Sequence, residues 1–120
     1  MVTPIDYDGR VFLSISNTTG GDVDSETRFH YRQRGRVVTA TYSGGGVRDG
    51  VLIGVVDDDG SLDLRYAHVA DDGRLMTGRC ESGLQVLADG RYRLHETWEW
   101  TSGGQGAGVS VTEEVPSDSA

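Results

Sequence analysis

The sequence predicts an all-β domain, an antiparallel meander of eight or nine strands that closes into a barrel with room inside for one small molecule. Three observations predict it. Turn signals recur at short, fairly even intervals, at Thr19-Gly20-Gly21, Arg34-Gly35, Ser43-Gly44-Gly45-Gly46, Asp49-Gly50, Asp59-Gly60, Asp72-Gly73, Asp89-Gly90 and Ser102-Gly103-Gly104. The segments between them alternate and are rich in Val, Thr, Tyr, Leu and Ile, residues that suit a pleated, half-buried surface. No segment carries an apolar stripe at i, i+3 and i+4 long enough for a stable helix, so none is expected.

In chain order, strands are expected near residues 10–17, 25–34, 36–42, 50–57, 61–69, 74–82, 84–88, 91–100 and 107–114. The four Asp-Gly pairs among these signals suit two-residue hairpin turns, whose central positions both need positive φ. Short hairpins place consecutive strands side by side, and closing the resulting sheet removes its two exposed edges. About eight strands leave an interior just wide enough for packed side chains or one small ligand. A flattened two-sheet sandwich is the structural alternative. The chain reads as one domain over residues 1–115, with a frayed tail of small and polar residues at 116–120.

Composition narrows the partners. Eleven basic residues against nineteen acidic ones leave a formal charge of −8, which repels nucleic acid and anionic lipid surfaces, so neither is an expected partner. No apolar run approaches the ~20 residues of a membrane helix, and Met1 to Asp6 lack the layout of a signal peptide, so a cytoplasmic location is expected. Cys80 is the single cysteine, which excludes an internal disulfide. Eighteen glycines with only two prolines fit many tight turns between hydrogen-bonded strands.

Alternation then assigns side chains to faces. In 25–34, Thr27, Phe29, Tyr31 and Gln33 form the inner set, opposite Glu26, Arg28, His30 and Arg32. In 36–42, Val38, Ala40 and Tyr42 oppose Val37, Thr39 and Thr41, and the pattern does not choose between them. In 61–69, His68 shares the apolar face of Leu62, Leu64 and Tyr66. The sides of 74–82 are Leu75, Thr77, Arg79 and Glu81 against Met76, Gly78, Cys80 and Ser82, and either fits the interior. In 91–100, Glu96 lies on the face of Tyr92, Leu94, Trp98 and Trp100. A carboxylate there costs several kcal/mol unpaired, or holds a proton, and so calls for a partner.

The interior thus combines an aromatic lining, Phe29, Tyr31, Tyr42, Tyr66, Trp98 and Trp100, with the polar groups His68, Glu96 and Arg79. That mixture is what small-molecule pockets are made of, although aromatic side chains in a small barrel also serve simply as core. Other constellations are weaker. His30, His68 and His95 have no metal-ligand spacing, and Asp57-Asp58-Asp59-Gly60 and Asp71-Asp72-Gly73 lack the twelve-residue calcium-loop pattern, so no metal is expected. Gly44-Gly45-Gly46 has neither the Lys-Ser/Thr nor the helix of a phosphate loop. Cys80 has only Arg79 as a basic neighbour, on the opposite face.

The strings SETRFHY, TYSGG, LIG, LRYAHV, GRLMTGRCES and LHETWEWTSG resemble a family of small bacterial proteins that carry the label "n-acetylglutamate synthase". The resemblance runs from about residue 9 to residue 114. An acetyl-CoA-dependent synthase of the usual fold needs helices around a pyrophosphate-binding loop, which this sequence lacks. The resemblance therefore implies one self-contained domain and transfers no catalytic residue. The implied shape is also similar to the calycin-like barrels of lipocalins and avidins, which bind small ligands.

Two functions are expected from this interior. In the first, a small, partly apolar molecule is held by Phe29, Tyr31, Tyr42, Tyr66, Arg79, Trp98 and Trp100. In the second, the same cavity serves a cofactor-independent isomerase, cyclase or hydrolase, with Glu96 as acid or base and His68 or Tyr66 as its counterpart. A third reading, an interaction module, would present the acidic surface to a basic partner. A homodimer is expected if a strand edge stays uncovered.

Overall fold

A computed structural model describes residues 5–18 and 21–116. Eight strands follow one another in the chain: β1 (Val11–Asn17), β2 (Arg28–Arg34), β3 (Val37–Gly44), β4 (Val47–Val56), β5 (Leu62–Ala70), β6 (Leu75–Val86), β7 (Tyr92–Ser102) and β8 (Ala107–Glu114). Each pairs antiparallel with the next, and β8 returns to β1, so the sheet closes into a barrel rather than a sandwich. Closure gives every strand a neighbour on both sides, although β1 meets β2 only over Val11–Leu13 and Arg28–His30.

Two boundaries differ from expectation. Residues 74–82 and 84–88 form the single strand β6, because Gly83 stays in the ladder opposite His95 and a lone glycine without a turn partner does not reverse the chain. Asp49-Gly50 is likewise no turn. Gly50 lies within β4, paired with Tyr42 on one side and His68 on the other.

The hairpin chemistry also differs. Among the described residues none other than glycine has positive φ, so Asp59, Asp72 and Asp89 do not supply the first left-handed position of a two-residue turn. Instead, in 57–61 the Gly60 N–H donates to Asp57 O and the Asp57 N–H to Ser61 O, with Gly60 at φ 87°. This is a three-residue loop with a glycine bulge. The same bonds recur at Ala70–Arg74 and Leu87–Arg91. The aspartates act through their side chains, accepting the backbone N–H of Ser61, Arg74 and Arg91. The turn at Thr19-Gly20-Gly21 and the tail beyond Pro116 fall largely outside the described residues.

Alternation sorts the faces. Val38, Ala40 and Tyr42 of β3 point inward, as do Met76 and Cys80 of β6, while Leu75 is 65% exposed. The segment before β1 closes one end of the barrel. Tyr7 is fully buried there, its hydroxyl donating to Gly60 O at 2.6 Å and its ring edge-on to Tyr92 at 5.3 Å. Phe12 and Tyr31 complete this aromatic plug, with centroids 5.0 Å apart. Outside it, the Arg10 guanidinium lies 3.7 Å over the Tyr92 ring and pairs with Glu114.

Candidate functional site

The opposite end is built differently because β1 and β2 pair only over Val11–Leu13 and Arg28–His30. Beyond Leu13, β1 continues on β8 alone, and the segment from Gly21 to Val23 lies across the gap. Asn17, at the end of β1, ties the two together. Its Oδ1 accepts the Trp98 indole N–H at 2.9 Å, and its Nδ2 donates to Val23 O at 3.1 Å. Below this cover is a cavity of about 60 Å³.

The cavity wall is mostly aromatic. Phe29 stacks on Tyr42 at 4.8 Å, the rings of Trp98 and Trp100 lie 5.4 Å apart, and Trp100 meets both Tyr66 and His68 edge-on. Two of these rings need glycines. A Cβ at Gly50 would lie 2.5 Å from the Tyr42 ring, and one at Gly78 would collide with the hydroxyl end of Tyr66 and come 2.6 Å from Glu99 O. Only residues without a side chain let both tyrosines lie flat on the neighbouring strand.

Two polar groups reach into this wall. His68 is buried and spanned on both nitrogens: Nδ1 lies 2.9 Å from Tyr42 Oη and Nε2 lies 2.8 Å from Asp22 Oδ2. A neutral ring with its proton on Nε2 satisfies both partners, donating to Asp22 and accepting from Tyr42. The second oxygen of Asp22 accepts from Arg74 Nη2 at 3.1 Å, so a chain of bonds runs from the β5–β6 turn to the middle of the cavity. Asp22 O also accepts the Gly46 N–H, which pins the covering segment at a second point.

Glu96 is the other. It is partly buried, with Oε1 accepting from Ser110 Oγ at 2.9 Å and Oε2 from Ser82 Oγ at 3.5 Å. Withdrawal from water pushes its carboxyl up to about 7, against the pull of the two hydroxyls. Its neighbours Cys80 and Tyr66 are raised as well, chiefly by burial and further by the Glu96 charge, and both stay neutral.

The closed eight-stranded meander thus carries a mixed aromatic and polar cavity at one end. A model of the family described as avidin-like protein matches residues 5–115. The chain belongs to the avidin-like protein family. No curated protein and no solved structure matches it.

Within this avidin-like barrel, Phe29, Tyr42, Tyr66, His68, Glu96, Trp98 and Trp100 line one cavity. Tyr31 does not join them. It packs in the plug against Phe12 and Tyr7, because the inner face of β2 runs from one end of the barrel to the other and Tyr31 stands nearer the closed end. Arg79 is corrected outright: it lies outside, its side chain 59% exposed, with Nε bonded to Glu99 at 2.8 Å. The register of β6 decides this, since Cys80 opposite Leu64 and Trp98 faces inward and its neighbour must face out.

Sequence reasoning missed Asn17, Asp22, Ser82 and Ser110. Asp22 lies in a connecting segment, where no periodicity speaks. The two serines do stand at inward positions, and a search for hydroxyls opposite Glu96 in neighbouring strands would have found them.

Proposed function

We propose that the open end of this avidin-like barrel binds one small, flat, partly apolar molecule, with its ring among Trp98, Trp100, Tyr66 and Phe29 and its polar head toward Glu96. The observation that carries the reading is the cavity itself, an aromatic wall around a carboxylate held by two serine hydroxyls. A cavity of about 60 Å³ admits a compact head group and is far below the ~300 Å³ of drug-sized pockets, so the remainder of a larger ligand would project past Trp100, which is half-buried at the mouth.

The acid–base alternative rests on Glu96 alone. Both nitrogens of His68 are already engaged by Tyr42 and Asp22. Burial raises the Tyr66 hydroxyl well above its ordinary value, which makes it a poor proton donor near neutrality. These contacts favour a binding role over turnover.

Thermal unfolding with phenol, benzamide and indole at millimolar concentration tests the binding reading. At least one should raise Tm in the wild type and quench tryptophan emission, with both effects lost in Trp98→Ala, since a ligand present at a hundred times its Kd adds about 2.7 kcal/mol. No shift and no quenching with any of them would count against a ligand site here.

A further inference from the structure

The cavity has a charge that nothing in the chain balances. All eleven basic residues are arginines, none of them is buried, and none lines the cavity. Asp22 is paired with Arg74 and accepts a hydrogen bond from His68. Glu96 is not: among the described residues its side-chain partners are the hydroxyls of Ser82 and Ser110, and no cationic group is within ion-pair distance. The chain as a whole carries −8, so the field around the mouth draws cations and repels anions.

The wall around this carboxylate suits a cation too. Trp98 and Trp100 follow Glu96 on the same face of β7, and Tyr66 and Tyr42 stand on other walls of the cavity. Aromatic faces attract cations, and a planar, delocalised cation loses less hydration than an ammonium when it stacks on them. It also presents paired N–H donors to a carboxylate, which a point charge does not.

We propose that the ligand's head group is a planar organic cation, of the amidinium, guanidinium or protonated aminoheterocycle class, paired with Glu96 and stacked among the tryptophans. This rests on the binding reading above and names its chemical class.

The pairing makes binding depend on pH. The groups around Glu96 are Ser82 and Cys80 on β6, Ser110 on β8, Tyr66 and His68 on β5, Tyr42 on β3 and Asp22 from the cover, with Tyr31 of the plug within reach of its charge. The tyrosines and Cys80 are all raised by burial and stay neutral, which leaves the His68–Asp22 pair as the other chargeable element. A cation needs Glu96 ionised, so affinity rises as pH rises through the carboxyl's range near 7. Between pH 6 and pH 8 the ionised fraction grows about tenfold, and so does the affinity.

Benzamidine, benzamide and benzoate give one shape with three charges. Each is titrated into the wild type and into Glu96→Gln at pH 6 and pH 8, read by tryptophan emission and by ligand-observed NMR. The expected order at pH 8 is benzamidine tightest, benzamide about tenfold weaker and benzoate weakest, with the benzamidine advantage shrinking about tenfold at pH 6. Glu96→Gln should abolish both the preference and its pH dependence while still binding benzamide. Benzamide binding as tightly as benzamidine, or benzoate binding tighter, overturns the cation assignment and leaves the pocket standing. A benzamidine pH profile that persists in Glu96→Gln also overturns it, by showing that a group other than Glu96 sets the pH dependence. Failure of all three probes to bind removes the assignment together with the binding reading, and the wild-type order decides even if Glu96→Gln does not fold.

Discussion

The two ends of the barrel are both lined with aromatic side chains, yet they do opposite things with them. At the closed end Tyr7, Phe12, Tyr31 and Tyr92 interlock with centroid separations from 5.0 to 6.4 Å, and Tyr7 delivers its hydroxyl to Gly60 O. At the open end Trp98, Trp100, Tyr66 and Tyr42 surround a space instead of filling it, and the polar atoms of Trp98, Tyr66 and Tyr42 bond to Asn17, Glu99 O and His68. Aromatic content alone therefore does not mark a site. What separates the ends is the carboxylate: Glu96 stands among rings and hydroxyls with no cation, whereas Glu114 at the closed end is paired with Arg10. The plug is filled by its own rings, and the cavity is where the binding reading places a ligand.

Tyr7→Ala tests this division most severely. Removing a fully buried ring and its hydrogen bond should cost about 3–5 kcal/mol, measured by urea unfolding. If the protein remains folded, benzamide should bind as in the wild type, because no lining residue of the cavity belongs to the segment before β1. A small loss of stability, or a lost probe, would merge the two ends into one unit.

Glu96→Gln should act in the other direction. The folded carboxyl lies near 7 and the ordinary value is 4.5, so between these the folded state holds more protons than the unfolded one. Wild-type stability attributable to this group is therefore complete below pH ~4.5, falls as pH rises, and is lost above pH ~7. The Gln variant lacks that slope. Its stability relative to wild type should grow from pH 4.5 to 7 and level off at up to about 3 kcal/mol. Parallel pH curves for the two proteins would show that Glu96 is better solvated than its position indicates.

Gly78→Ala addresses how the open end is kept open. The new methyl meets the Tyr66 hydroxyl end, which can swing, and Glu99 O, which belongs to the ladder and cannot. A loss of about 1–3 kcal/mol is expected, with Tyr66 displaced and probe affinity reduced, measured by thermal unfolding and the same fluorescence titrations. Full stability with unchanged affinity would mean that the flat seat of Tyr66 is incidental.

These glycines also show what was legible in the sequence. The strands and faces were readable because the signal is local: Leu62, Leu64 and His68 alternate with Asp63 and Arg65, and the same rule put Glu96 among Leu94, Trp98 and Trp100. The closed end was not readable, because Tyr7 reaches Gly60 across 53 residues from a segment with no periodicity. Asp22 was hidden for the same reason, 46 residues from His68. Gly50 looks like a turn signal and Gly78 like an ordinary strand position, yet both sit inside strands to receive tyrosine rings, a role visible only once Tyr42 and Tyr66 are in register with them. Arg79 was misplaced because the two sides of its strand are nearly matched in polarity, so alternation supplies two answers and only pairing with β5 and β7 chooses.

That misplacement yields the mildest test of inside against outside. Arg79 and Glu99 are directly opposite on β6 and β7, both about half exposed, and their ion pair faces water. Exposed pairs contribute from nothing to about 1 kcal/mol because solvent screens the attraction and ordering two side chains offsets it. Arg79→Ala should therefore change stability by less than about 1 kcal/mol, and less still in high salt. It should leave benzamide affinity unchanged, since the side chain is on the far side of the wall from the cavity. A marked loss of affinity would mean that the register of β6 in solution turns Arg79 inward, which would carry Cys80 and Ser82 out with it and dismantle the cradle of Glu96.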